Sequence, residues 1–201
     1  MHIHLQGKQY DLSKPLSIAI PMHTGEQVNC YFAPPFAINP VVMGNFIGDV
    51  RTGSPVNYMN VSLNPHGNGT HTECLRHIAD VPFTLTDIYV KRHFIAQVIT
   101  AEPERIANGD MVVSAERVLS DLLPGMEAVI IRTTPNPTSK QTQQYSGTNP
   151  PYLHMEITLG LARAGVEHLL VDLPSLDREE DGGKLAAHRA FWQYPEAPRV
   201  N

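Results

Sequence analysis

Hydrophobic and polar positions alternate through much of the first half of the chain, the period-two spacing of half-buried strands. Residues 3–10 and 16–20 read as short extended segments, and Gly7-Lys8 within the first suits a hairpin. Residues 56–63 set Val56, Tyr58 and Asn60 against Asn57, Met59 and Val61, predicting a strand that leads into a histidine-rich stretch. Residues 89–100 are rich in β-branched and aromatic side chains and predict one long strand. After this the period changes. A helix is expected from Ser114, as N-cap, to about Leu122, with Arg117 where a capping box would have Glu, and Pro124-Gly125 ends it. Residues 127–132 form a buried strand, 154–164 a helix closed by Gly165, 168–173 another strand and 183–192 a last helix. Between them, residues 133–151 make a Pro, Thr, Asn and Gln-rich loop too long for a plain connector, which suits a lid or an arm crossing to a second subunit. A strand-rich half followed by helix–strand alternation predicts an α+β or α/β fold.

A chain of 201 residues with 42% hydrophobic content can bury one sizeable core, so a single domain over 1–201 is expected. The net charge of −5, without a dense basic run, argues against a sequence-independent nucleic-acid binder. Cys30 and Cys74 are too few for a disulfide framework, and Cys74 reads as a small packing residue. The opening Met-His-Ile-His-Leu-Gln-Gly-Lys has no charged region followed by an apolar stretch, so no secretory signal is expected there, and no apolar run approaches a membrane span. A cytoplasmic protein acting on a small molecule, without nucleic-acid or membrane partners, is the expectation.

Candidate chemistry concentrates in residues 64–77, where His66, His71, Glu73 and His77 surround two glycines. Imidazole and carboxylate together suit zinc, manganese or iron. His71 and Glu73, two apart, share one side of an extended chain. His66 falls on the opposite side unless Gly67-Asn68-Gly69 bulges or turns, and His77 returns to the first side at some distance. A polar turn between strands is the competing reading.

The stretch resembles the signature of the cyclase and kynurenine-formamidase-like family of metal-dependent hydrolases, His-x-Gly-Thr-His-x-Asp-x-Pro-x-His. Gly69-Thr70-His71 matches its Gly-Thr-His, Glu73 stands at its Asp, and His77 at its last His. Further segments are similar in order: Asp11-Leu12-Ser13-Lys14-Pro15-Leu16, Val129-Ile130-Ile131-Arg132-Thr133, Val171-Asp172-Leu173-Pro174-Ser175-Leu176-Asp177, and Leu185-Ala186-Ala187-His188-Arg189. Asn68 is an extra residue before Gly-Thr-His, Glu73 is one methylene longer than Asp, Leu75 replaces the Pro, and Met22-His23-Thr24-Gly25 stands where a pocket tryptophan is common. Two-metal members use a His on the late helix, matched by His188, and a Glu about a dozen residues beyond it. Glu196, between Pro195 and Pro198, is a poor match, so either the second metal site is missing or a C-terminal strand lies beyond this sequence.

The resemblance implies a compact β/β/α barrel-like domain, a homodimer or homotetramer, and hydrolysis of amide-type C–N bonds in arylformamides such as N-formylkynurenine, or in cyclic imides and lactams. A divalent metal, zinc first and manganese or iron next, would be held by His66, His71 and Glu73. It would bring its water to a pKa near ~7, and the resulting hydroxide would attack the carbonyl. His77 would carry the proton to the leaving nitrogen. His188 completes a second metal site, binds substrate, or packs at a subunit contact. His23, Phe32, Phe36 and Trp192 are the candidate substrate pocket, and structural or core roles remain open for each. Ser175 lacks a nucleophile elbow, so Asp172 and Asp177 beside it are expected to shape the loop and support the ligand histidines. The alternative, favoured by the three departures around the motif and at the distal Glu, is a non-catalytic relative that binds a small molecule or serves as a scaffold with at most a structural metal.

Overall fold

The computed structural model describes residues 2–5, 7–91 and 93–200. In chain order its strands are β1 (His2–Leu5), β2 (Lys8–Asp11), β3 (Ala37–Pro40), β4 (Val42–Met43), β5 (Phe46–Ile47), β6 (Met59–Ser62), β7 (Ala96–Ala101), β8 (Glu104–Arg105), β9 (Met111–Val113), β10 (Ala128–Thr133), β11 (Tyr152–Leu153) and β12 (His168–Val171). Its helices are α1 (Pro65–Asn68), α2 (Leu85–Ile88), α3 (Ala115–Ser120), α4 (Met155–Arg163) and α5 (Ala186–Trp192). The fold is mixed α and β. The described strands fall into separate sheets of two or three, and none closes into the barrel that the resemblance implied.

The centre is a parallel sheet in the order β12-β10-β7. Ile131 pairs with Val171 on one side and Ile99 on the other. In the runs Ala128-Val129-Ile130-Ile131 and His168-Leu169-Leu170-Val171, the residues Val129, Ile131, Leu169 and Val171 face the core, while the other face of the sheet, with Val98 58% exposed, is more open. α4 buries Ile157, Thr158, Leu161 and Ala162, one stripe of a 3.6-residue period, and α5 buries Ala187, His188, Phe191 and Trp192. Ile157, Leu161, Phe191 and Trp192 join Leu75, Val113, Val118 and Val129 in the core. Each buried Leu or Ile contributes about 1.5–3 kcal/mol. Gly160 permits close helix packing, since a Cβ there would lie 2.7 Å from Leu119 Cδ2.

Polar side chains tie the loops at the C-terminal ends of this sheet. The Thr133 N–H and hydroxyl both donate to Asp172, at 3.0 and 2.8 Å, and Lys140 Nζ donates to Thr133 Oγ1 at 2.8 Å and Asp172 Oδ2 at 3.2 Å. Asp110 is buried and accepts from Arg178 Nε (2.8 Å), Asn149 Nδ2 (2.7 Å), Tyr152 Oη (2.9 Å) and Asn108 Nδ2 (2.9 Å). These donors, Arg178 foremost, hold its carboxyl well below the usual range.

Several sequence expectations change. Gly7, at φ 74°, supplies the turn of the β1–β2 hairpin. Residues 16–20 form no strand, and Leu16 is 92% exposed, because no neighbouring strand takes up the alternation. The long strand at 89–100 is only its second half. A capping box between Thr84 and Asp87 nucleates α2 upstream, and Tyr89 closes it. Residues 133–151 pack on their own chain: Asn29 N donates to Gln143 O at 3.1 Å, Tyr145 N to Asn29 O at 2.8 Å, and Gln144 Nε2 to Gln27 O at 2.6 Å. Among the described residues no helix is long and apolar enough to cross a membrane.

Candidate metal centre

The histidine-rich stretch is neither an extended strand nor a bulge. Asn64 caps a single helical turn, its Oδ1 accepting from Gly67 N at 3.2 Å, and Pro65 opens that turn with a preset φ. Asn68, 1% exposed, closes it: its Oδ1 accepts from Asn64 N at 2.7 Å and its Nδ2 donates to Pro34 O at 3.1 Å. The residue that looked like an insertion is thus the latch that turns His66 back toward His71. Gly67 is required by packing, since a Cβ would sit 2.3 Å from Ala33 Cβ. The chain then runs extended through Thr70, whose Oγ1 accepts from Ile20 N at 3.0 Å. Leu75, 1% exposed, roots a 3₁₀ turn over Leu75–His77 in the core. That turn brings His77 onto the side of Glu73 as an i,i+4 pair, so an extended chain does not deliver it.

Four imidazoles converge on one carboxylate. Glu73 Oε1 lies 2.7 Å from His66 Nδ1, 3.2 Å from His71 Nε2 and 3.5 Å from His77 Nε2. Its Oε2 lies 3.3 Å from His188 Nε2. The His66 ring stacks on His77 at 4.7 Å between centroids and meets His71 edge-on at 4.8 Å. His66, His71 and Glu73 form one ligand group, and Glu73, His77 and His188 a second, with the ligand atoms of each within 4.8 Å of one another.

The far side of the rings settles their tautomers. His71 Nδ1 faces the Gly69 carbonyl at 3.0 Å, which can only accept, so this nitrogen carries hydrogen. His188 Nδ1 faces Asp177 Oδ2 at 2.5 Å and donates likewise. Asp177 also accepts from the backbone N–H groups of Ala187 (2.7 Å) and His188 (3.1 Å), fixing the start of α5 to the ring it orients. In their neutral forms His71 and His188 therefore aim Nε2 lone pairs at a carboxylate. Lone pairs facing lone pairs call for a proton or a metal ion between them.

The protonation preferences report this demand. Burial alone would raise Glu73, but hydrogen bonds from His188 and His71 outweigh it and hold the carboxyl well below its usual range. Burial alone would lower His188, yet Asp177 and Glu73 push it up to about 9. His71 is raised by its bond to Glu73 against burial. His77 goes the other way: burial lowers it foremost, Glu73 opposes this, and the neighbouring His188, His66 and His71 lower it further. Without a metal, protons supply the missing positive charge, and a divalent cation would replace them. The donor set therefore fits a divalent metal ion.

The candidate pocket residues take separate places. His23 is exposed and its Nδ1 approaches the Thr24 carbonyl at 3.1 Å. Phe32 is 79% exposed, on a turn beside Gly147. Phe36 is half-buried and its backbone bonds Gln27. Trp192 is a core residue whose ring lies 5.7 Å from that of His188, forming a wall behind it. The subunit-contact reading of His188 gives way to a place inside the cluster. Tyr31, which the sequence did not single out, donates to the Pro174 carbonyl at 3.3 Å, in the loop leading to Asp177.

Fold and site together define a mixed α/β protein with a His/Glu cluster able to hold a metal ion. The model of the cyclase family, described as "putative cyclase", matches residues 10–178, and the chain belongs to that family. His188 lies beyond the matched stretch, so its place in the cluster rests on geometry.

Proposed function

We propose that this protein is a metal-dependent hydrolase of amide-type C–N bonds, with arylformamides, cyclic imides and lactams as substrate classes and zinc as the first candidate metal. The observation that carries the reading is the pair of imidazoles, His71 and His188, whose outer nitrogens are committed to acceptors while their inner nitrogens face the shared Glu73 carboxylate. His66, His71 and Glu73 would hold the ion, with His188 on the other oxygen of Glu73 as a ligand of the second group. When bound, it supplies a Lewis acid for the carbonyl oxygen and a water acidified toward neutrality. His77 is the proton carrier: its Nε2 is the farthest of the four from Glu73, and its depressed pKa leaves it free to accept a proton and pass it to the leaving nitrogen, a role worth typically ~10²–10⁴-fold. Trp192 keeps bulk water from the back of His188. The burial of Asn68 removes one argument for a non-catalytic relative, because the additional residue does not displace His66.

The test is zinc-loaded protein assayed on N-formylarylamines and cyclic imides before and after chelation. Hydrolysis lost on chelation and restored by zinc is expected, and turnover indifferent to chelator would sink the reading.

A second copy of the chain is the proposed partner. The core lies from Leu75 onward, whereas Ile38, Val42, Met43, Tyr58 and Val61 of the β3–β6 and β4–β5 region are exposed. Apolar surface of this extent is what a homo-oligomer covers. Light scattering should give at least a dimer at micromolar concentration, and Val61→Lys should shift it toward monomer. A monomeric wild-type protein would refute the assignment.

A further inference from the structure

Residues 30–33 form a reverse turn in which Ala33 N donates to Cys30 O at 3.1 Å and both central residues, Tyr31 (φ 56°) and Phe32 (φ 52°), are left-handed. Turns with two positive-φ centres are normally built from Asn-Gly, because a bulky side chain is strained there. Here the surroundings hold two aromatics in place. Cys30 N donates to Gly67 O at 2.9 Å, Asn29 Nδ2 to Ala33 O at 2.9 Å, and Phe32 N to Ser146 Oγ at 2.8 Å. The first of these fastens the turn to the helical turn that carries His66. Strain maintained in this way gathers at functional sites.

The turn sets the Tyr31 phenol on the loop that leads to Asp177, the partner of His188. Its hydroxyl donates to Pro174 O over a long 3.3 Å, and the Ser175 side chain is within hydrogen-bonding reach. Glu73 lies near enough for its charge to act on the phenol. Burial first, then the Glu73 and Glu179 charges, raise the Tyr31 pKa and keep the O–H intact. The proposed hydrolysis can use such a group as a second, uncharged donor beside the Lewis acid. Around Glu73 the side chains present a carboxylate and imidazoles, and His77 is reserved for the leaving nitrogen. None of these offers a hydroxyl to the carbonyl oxygen.

We propose that Tyr31 contacts the substrate, its phenol O–H donating a hydrogen bond to the carbonyl oxygen of the bound amide and stabilising the negative charge that develops there. This inference rests on the hydrolase reading above. The proton stays on the phenol throughout, and the weak bond to Pro174 O is exchanged for the stronger one to substrate.

Tyr31→Phe keeps the ring and loses only the donor. Its kcat on an N-formylarylamine should fall about 10²-fold with KM within about two-fold, the mark of a contact made chiefly in the transition state. A second readout needs no turnover: benzohydroxamic acid, an aryl chelator with a carbonyl oxygen, titrated calorimetrically into zinc-loaded protein. Its Kd should rise about 10-fold in Tyr31→Phe while the affinity for zinc alone is unchanged. Tyr31→Asn, which suits left-handed backbone, should weaken hydroxamate to the same degree without lowering Tm. Zinc affinity that falls in step with hydroxamate affinity would mean Tyr31 only positions the 174–177 loop, and overturns the proposal. So does hydroxamate binding unchanged by Tyr31→Phe. If wild-type protein shows no zinc-dependent hydroxamate binding, the metal-site reading falls and the Tyr31 role with it. If hydroxamate binds and responds to Tyr31→Phe while no amide is turned over, the hydrolase reading alone fails and the Tyr31 contact with a carbonyl ligand stands.

Discussion

Glu73→Gln should leave a folded protein that no longer retains zinc through dialysis and has lost hydrolytic activity by at least ~10³-fold, given that even a group outside the ligand set is worth ~10–100-fold in metal affinity or activity. Glu73 belongs to both ligand groups, so one substitution disables both. The amide matches the carboxylate in shape but carries no charge, and one of its two ends becomes a donor. That end can donate to the Nε2 lone pair of His71 or of His188, which face Oε1 and Oε2 at 3.2 and 3.3 Å. The metal-free variant therefore satisfies one of the two imidazoles without cation or proton, while its oxygen still calls for a proton on the other, and its Tm should stay close to that of chelated wild type. Zinc should raise the Tm of wild type, by preferential binding to the folded state, and leave that of the variant unmoved. Retention of stoichiometric zinc by Glu73→Gln would remove the carboxylate from the ligand set.

The central sheet and α4 were legible because their signals are local. Continuous apolar runs mark β10 and β12, and Gly165, at φ 83°, ends the α4 segment as its position suggested. The motif was legible as chemistry but not as geometry. The position of His66 depends on Asn68 reaching the Pro34 carbonyl, a contact between residues 34 apart that no window of sequence contains. Asn68 itself read as a disturbance because a polar residue between glycines gives no sign of being buried. His77 depends on Leu75 entering the core, and an apolar residue in a polar stretch marks burial but not the 3₁₀ turn that accompanies it. Tyr31 had no local signal at all: Tyr-Phe is an unfavourable pair for its turn, which only contacts with Gly67 and Ser146 impose. The lost half of the strand at 89–100 is a case of a side-chain cap prevailing over β propensity.

Asp177→Asn should weaken zinc binding by about 10–100-fold and lower the stability of the protein even without metal. Asp177 does two things at once. It accepts from the N–H groups of Ala187 and His188, groups that no earlier turn of α5 can satisfy, and it orients the His188 ring through Nδ1. An asparagine can keep some of these bonds through its one oxygen, but its NH₂ end then faces N–H donors, so at least one buried donor loses its acceptor at a cost of about 1–3 kcal/mol. The ring also loses the charge that holds its proton. With the His188 pKa raised to about 9 in the folded chain, its stabilising contribution is fully present below the unfolded value of about 6.5 and disappears as pH rises to about 9. The Tm of chelated wild type should therefore decline across that window, and the decline should be shallower in Asp177→Asn. Zinc opposes the decline because it replaces the departing proton, so the Tm gain on adding zinc to wild type should grow from pH 6.5 to 9. A zinc-induced gain that is flat with pH, or an Asn variant that binds zinc as wild type does, would mean that Asp177 merely caps α5 and leaves His188 to find its own orientation.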